Sequence, residues 1–155
     1  MPIRRLLYTS ESRLKPAALT VEQQVAAIAR QAAARNSEVG ITGLLVFVEG
    51  QFIQILEGDS DTVEATFERI CCDFRHARVK LVDLVAVKER LFDGWDLALM
   101  CEGEDSGSPL DEDLRNVRYL LGINARVAVE RMHEYLLGRS DMPFTPAGQG
   151  EQLPG

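Results

Sequence analysis

Residues 40–58 read GITGLLVFVEGQFIQILEG, and two apolar runs within them, Gly43–Glu49 and Gln51–Leu56, meet at Gly50. A glycine between two short apolar runs is the pattern of a β-hairpin, since it supplies the left-handed backbone that a tight turn requires. Neither run alternates apolar with polar residues. Strands apolar at nearly every position are covered on both faces, so this hairpin is expected at the centre of a sheet with a layer on each side.

The flanking sequence supplies the layers. Upstream, Ile3–Thr9 is a strand candidate, followed by a loop containing Pro16. Thr20-x-x-Gln23 is a capping-box pattern, and Val25, Ile28, Ala29, Ala32 and Ala33 recur behind it at helical spacing as a buried stripe. Asn36 and Gly40 sit where that helix should stop. Downstream, Ser60 or Asp61 is expected to cap a second helix with Val63, Phe67, Ile70, Cys71 and Phe74 on one side. Val79–Val87 and Trp95–Cys101 then read as strands. The order β-α-β-β-α-β-β predicts an α+β domain with a ferredoxin-like, largely antiparallel sheet and two helices on one face. Two C-terminal helices, about 111–121 and 125–137, are expected to cover the other face, alone or jointly with a second subunit. The chain thus divides into a domain over 1–101, a helical cap over 102–139 that begins with the Gly/Ser/Asp-rich linker Glu102–Pro109, and a mobile Pro- and Gly-containing tail over 140–155.

Composition narrows the function classes. Of 155 residues 46% are hydrophobic, enough for a packed core, and the net charge of −7 disfavours nucleic acid and anionic membrane as partners. The one basic stripe, Arg75, His76, Arg78 and Lys80, is flanked by Asp73 and Asp83. No apolar run approaches the ~20 residues of a membrane span. The N-terminus MPIRRLLYTS has too short an apolar stretch for a signal peptide, so cytoplasm is the expected compartment. Cys71 and Cys72 are adjacent, Cys101 makes the count odd, and no Cys/His spacing suits a metal.

Individually, the polar residues of the domain have ordinary readings. Gln54 alternates onto the face of Phe52 and Leu56, where its amide needs partners that a backbone loop or a wet edge can supply. Tyr8 shares a face with Leu6, as many core tyrosines do. Asn36 suits a helix C-terminus. Arg69, Asp73, Arg75 and His76 suit a solvated helix end whose cations complement the dipole. Together they read differently. With both helices side by side on the sheet, Asn36, Gln54 and Asp73 converge on the gap, forming an apolar slot with a few polar groups. An isoalloxazine ring, flat and apolar with carbonyls and N–H alternating along its edge, fits such a slot, because a carboxamide carries both donor and acceptor.

The fragments Leu7-Tyr-Thr-Ser10, Asn36, Gly40-Ile-Thr-Gly-Leu-Leu45, Gly50-Gln-Phe-Ile-Gln-Ile-Leu-Glu-Gly58, Asp73-Phe-Arg-His76 and Phe92-Asp-Gly-Trp-Asp-Leu97, in order over about residues 3–100, resemble the BLUF domain, a blue-light sensor. The resemblance implies a flavin held non-covalently between the two helices, FAD first, with FMN or riboflavin as alternatives. Tyr8 matches the tyrosine that gives an electron and a proton to the photoexcited flavin. Gln54 matches the glutamine whose amide rearranges and shifts the absorption to the red. Asn36 matches a contact to the ring edge and Ile28 an apolar residue on the ring. Arg69, Asp73, Arg75 and His76 match positions near the ring or its ribityl-phosphate arm, and Arg35 is carried as a further cofactor contact. Trp95 and Leu97 match the signal-transmitting positions.

Three departures stand out. Trp95-Asp-Leu97 replaces the frequent Trp-x-Met, so the polarizable thioether is missing, which bears on output and dark recovery. Ala32 and Arg35 occupy positions where some members place a hydroxyl and an Asn or His. The loop before the first helix is longer than usual. Beyond residue 100 the chain is too short for a cyclase or phosphodiesterase, so the expectation is a sensor without its own enzyme activity, forming a homo-oligomer and signalling to a separate protein. Two other classes compete with it. A light-inert interaction or oligomerisation module on the same fold is countered by the intact Tyr8/Gln54 pair but left open by Leu97, and an acylphosphatase-like hydrolase is countered by the lack of an Arg in a Gly-rich loop beside an Asn. No cysteine lies in a flavin-adduct motif.

Overall fold

The hairpin consists of β2 (Thr42–Val48) and β3 (Gln51–Asp59), with Val48 opposite Gln51 across the turn. Glu49 (φ 49°) and Gly50 (φ 74°) both take left-handed backbone, as a two-residue turn matched to strand twist demands. The structure, a computed structural model, describes residues 2–101 and 109–138, with side chains from residue 112 in the second stretch. Most of the predicted linker and the predicted tail lie outside the described residues.

β1 (Ile3–Ser12) runs antiparallel to β3 and to β4 (His76–Val87), and β5 (Ala98–Cys101) runs parallel to β2. The order β4-β1-β3-β2-β5 is the ferredoxin-like sheet extended by one strand, and it makes the hairpin central, as its continuous apolar runs predict. The last strand is shorter than the expected Trp95–Cys101. Gly94 (φ 94°) and the bond from Trp95 N–H to Phe92 O (3.1 Å) form a turn there, so Trp95 precedes the strand.

On one face lie α1 (Val21–Val39) and α2 (Ser60–Cys71). The predicted capping box is present: Thr20 Oγ1 accepts from Gln23 N–H (3.1 Å), and Gln23 Oε1 from Thr20 N–H (2.9 Å). The helix ends on Gly40 in the left-handed region, so Asn36 falls inside the last turn rather than at its end. Asp59, not Ser60 or Asp61, is the N-cap of α2 and makes no side-chain capping bond. The predicted apolar side of α2 also runs too far. Val63 is buried and Phe67 and Ile70 pack on the sheet, but the helix stops at Cys71, leaving Cys71 exposed and Phe74 91% exposed in the turn that follows. The basic stripe does not form either: His76 is buried, Arg75 is tied to Asp73, and Arg78 is paired with Glu11.

The opposite face is covered within the chain. α3 (Pro109–Leu121) and α4 (Ala125–Leu137) bring Leu114, Val117, Val129, Met132 and Leu136 onto Leu7, Leu44, Val46, Ile53 and Ile55. Asn124 caps α4 through Arg126 N–H (3.1 Å) and Val127 N–H (3.3 Å).

Residues 88–97 carry the chain from the β4 edge to the β5 edge, along the sheet end where β3 finishes and β2 begins. Glu57, 0% exposed, fastens them. Its carboxylate accepts from Leu91 N–H (2.9 Å), Phe92 N–H (2.8 Å) and Arg5 Nε–H (2.8 Å). Arg90 donates to Thr42 Oγ1 (2.9 Å), Glu57 O (3.0 Å) and Gly40 O (2.8 Å).

Candidate functional site

Above β1 and β3, between α1 and α2, is a partly open cleft whose walls combine apolar side chains with a few polar groups, the usual form of a cofactor site. Tyr8, Ile28, Arg35, Asn36, Gln54, Arg69, Asp73, Arg75 and His76 all line it. Trp95 and Leu97 do not. The lining explains a misjudged helix stripe. Val25 and Ala29 are buried, but Ile28 and Ala32 are half-buried because they wall the cleft rather than fill the core. Gln31, Phe52 and Thr66 also line it and were not foreseen. Phe52 was readable from its alternation with Gln54; Thr66, one turn before Arg69 on α2, carried no separate signal.

Tyr8 and Gln54 face each other directly across β1 and β3. The Tyr8 hydroxyl donates to Gln54 Oε1 in a short hydrogen bond between buried groups. Burial pushes the phenol well above its ordinary value, and the charges of Cys71 and Asp73 add to this. Tyr8 is therefore an O–H donor at neutral pH. Among the described residues no protein group meets the Gln54 NH₂, so the donor half of the amide is left for whatever fills the cleft. The Tyr8 hydroxyl can donate or accept, and the carboxamide can do either with its two ends, so the pair has two self-consistent bonded arrangements.

Asn36 Nδ2 donates to Asp96 O (2.8 Å), and its Oδ1 has no protein donor among the described residues. Asp73 accepts from Arg75 Nε–H (2.9 and 3.0 Å) and Arg75 N–H (2.9 Å), and Arg75 Nη1 reaches Gln31 Oε1 on α1 (3.3 Å). The Arg75 hydrogen bond holds the Asp73 carboxyl below its usual range, outweighing the burial that opposes it. A carboxyl depressed in the fold favours the fold above its ordinary range, and that contribution is lost as pH falls through the folded value. Thermal melts at about pH 7 and about pH 3 should thus show a smaller acid loss for Asp73→Asn than for the parent. Arg35 and Arg69, exposed on opposite walls, have no partner among the described residues. His76 differs. Both its ring nitrogens are already engaged, by Ser10 Oγ and Ile70 O, leaving only carbon edges and faces to a ligand.

The residues fit a flavin. The cleft is apolar in its walls, offers an amide donor from Gln54 and a carbonyl from Asn36 for a mixed donor–acceptor edge, and has two unpaired guanidinium groups at its rim for a phosphate.

Residues 3–98 match the family described as sensors of blue-light using FAD (BLUF). The chain is similar to photoactivated adenylate cyclase subunit beta of Euglena gracilis, 39% identical over 79 residues, 50% of this chain and 9% of that protein. It is also similar to subunit alpha of the same organism, 37% identical over 87 residues, 56% of this chain and 7% of that protein. The chain thus spans less than a tenth of the length of these curated relatives. The solved structure of BlrB, titled a BLUF protein in its dark state, matches with a TM-score of 0.71 over 87% of this chain and 95% of that one; at 24% identity this likeness shows the fold. Klebsiella pneumoniae BlrP1, in a complex with manganese and cyclic diGMP, matches with a TM-score of 0.59 and 28% identity over 73% of this chain and 28% of that one.

Proposed function

This chain belongs to the BLUF family, the sensors of blue light that use FAD, and from that premise we propose that it is a photoreceptor whose switch is the Tyr8–Gln54 pair. The observation that carries this reading is the hydrogen bond from Tyr8 to Gln54 Oε1 inside the cleft, with the Gln54 NH₂ left over. A bound flavin would supply the absorption of blue light and the electron acceptor. Tyr8 would donate to it an electron and, from its hydroxyl, a proton, both returned to Tyr8 once Gln54 has rearranged. Gln54 then rearranges its amide between two bonded states, and the change in its bond to the flavin carbonyl shifts the absorption to the red. Asn36 holds the ring edge through Oδ1, Ile28 packs on the ring, and Arg35 and Arg69 receive the phosphate arm, with Asp73 and Arg75 closing the mouth against Gln31. FAD is the cofactor we assign.

We assign output to the segment after residue 91. Asn36 touches the Asp96 carbonyl, Leu97 packs with Leu45 and Phe52 on the cleft side, and Trp95 packs with the α3/α4 core on the other side. Phe92 meets His133 of α4 edge to face, with ring centroids 5.5 Å apart. A change in the cleft therefore has a short packed route to the cap. The reading extends to a homo-oligomeric cytoplasmic protein that signals to a separate partner. Among the described residues no helix is long and apolar enough to cross a membrane.

Purified protein is expected to be yellow or to take up FAD, FMN or riboflavin, and blue light should shift its spectrum reversibly to the red. Colourless protein that refuses all three flavins overturns the reading. Tyr8→Phe should keep the flavin and lose the shift, and an unchanged photoresponse would remove Tyr8 from its role.

A further inference from the structure

Ser10 has no part in the chemistry above, yet it is 2% exposed and stands two residues beyond Tyr8 on the same face of β1, opposite Phe52. Its Oγ lies 2.7 Å from His76 Nδ1, and His76 Nε2 lies 2.7 Å from the Ile70 carbonyl oxygen. A carbonyl only accepts, so Nε2 carries the hydrogen; in the neutral ring Nδ1 then accepts from the Ser10 hydroxyl. The imidazole is pinned at both nitrogens, between the middle of the sheet and the end of α2. Pinned there, it forms one wall of a cage. Its edge meets the rings of Tyr8 (centroids 6.2 Å apart, 66° between planes) and Phe52 (6.1 Å, 85°), while Phe67 closes on Tyr8 at 5.5 Å. The Tyr8 ring thus has both His76 and Phe67 as ring neighbours, and among the described residues its side-chain hydrogen bond runs to Gln54.

From this cage we propose that Ser10 is a positioning residue: by holding the His76 ring in place through Nδ1 it confines the Tyr8 phenol against Gln54 and so sets how long the switched state lasts. The inference rests on the Tyr8–Gln54 switch proposed above. A rearranged amide persists only while phenol and carboxamide cannot swing past each other. Removing the Ser10 hydroxyl leaves Nδ1 without that partner, allows the imidazole to turn about its remaining bond to the Ile70 carbonyl, and loosens one wall of the cage. The barrier to return then falls.

The experiment compares the flavin-loaded parent with Ser10→Ala and Ser10→Thr. Dark recovery is followed by absorption, and the His76 ring nitrogens by nitrogen-15 NMR. Ser10→Ala is expected to keep the flavin and the red shift, to recover about fivefold faster, the effect of one lost neutral hydrogen bond on a barrier, and to move the Nδ1 resonance away from its hydrogen-bonded position while Nε2–H persists. Ser10→Thr, which keeps the hydroxyl, should restore both. Recovery at the parent rate in Ser10→Ala overturns the proposal, as does faster recovery with unchanged His76 nitrogens. Should Ser10→Ala lose its flavin, Ser10→Cys, similar in size with a weak donor, is read by the same two measurements and the same outcomes. A parent with no photoresponse overturns the switch and this inference together. A parent that responds while Ser10→Ala matches it overturns this inference alone.

Discussion

Gly43→Ala is expected to unfold the protein or to lower its melting temperature by more than about 10 °C. Gly43 lies in β2 opposite Leu56, at the centre of the sheet. A Cβ there would stand 1.9 Å from the carbonyl oxygen of Ile55 and 3.0 Å from its carbon. Both atoms are backbone of the neighbouring strand, so no side chain can swing aside. Relief requires β2 and β3 to part, and with them the bond from Gly43 N–H to Trp95 O (3.1 Å). Ordinary overpacking costs about 1–3 kcal/mol. A clash against backbone in a central ladder should exceed about 4 kcal/mol, a large part of the roughly 5–15 kcal/mol that holds a domain together. Gly50→Ala is the control. Its Cβ would meet nothing within 4 Å, and only the left-handed φ of 74° opposes it. That penalty is about 1–2 kcal/mol. Circular dichroism melts of the two variants should therefore differ widely. Similar melts would mean that the strands do not approach as closely as described.

Glu57→Ala should be nearly as damaging, for an electrostatic reason. The carboxylate is fully buried and satisfies two main-chain donors and the Arg5 guanidinium. Truncation orphans the N–H groups of Leu91 and Phe92, each costing about 1–3 kcal/mol, and leaves Arg5 without its counter-charge. A total of about 3–5 kcal/mol is expected, typical of breaking one side of a buried pair. The damage should be directional. Hydrogen exchange should accelerate first at Leu91 and Phe92, before the strands are affected. Glu57→Gln keeps an acceptor and the volume, and should recover a good part of the loss. If exchange instead rises evenly through the sheet, Glu57 is not the fastening of residues 88–97.

Much of this architecture was readable from the chain because its signals are local. The capping box at Thr20, the unbroken apolar runs about Gly50 and the apolar spacing along 125–137 each report a nearby physical demand, and each element formed. The errors fell where local and tertiary demands differ. Cys71 and Phe74 continue the helical period of α2, but the helix ends at Cys71, which is exposed in its last turn, and Phe74 lies beyond it. Trp95 continues the apolar look of a strand, but Gly94 turns the chain first. The site was legible in part. Gln54 and Tyr8 could be placed on strands of one sheet, but that their strands are neighbours in a register that sets the two residues opposite each other is fixed only in the assembled sheet. Ser10 and His76, 66 residues apart, show how a hydrogen-bonded pair can lie beyond any reading of sequence spacing.

β4 has a further consequence. Its 12 residues form the outermost strand of the sheet, with one side free of any partner strand among those described. A long flat edge of this kind invites another chain to add itself, and repetition of that addition is how fibrils grow. Two devices oppose it here. Arg78, at φ 54°, lies where the pairing with β1 slips out of register, which interrupts the flat ladder. Arg78, Lys80 and Asp83 then place charge along the same strand, which an incoming strand would have to desolvate. The kink that disturbs the sheet's regularity beside the cleft is thus also a guard against strand addition along this edge.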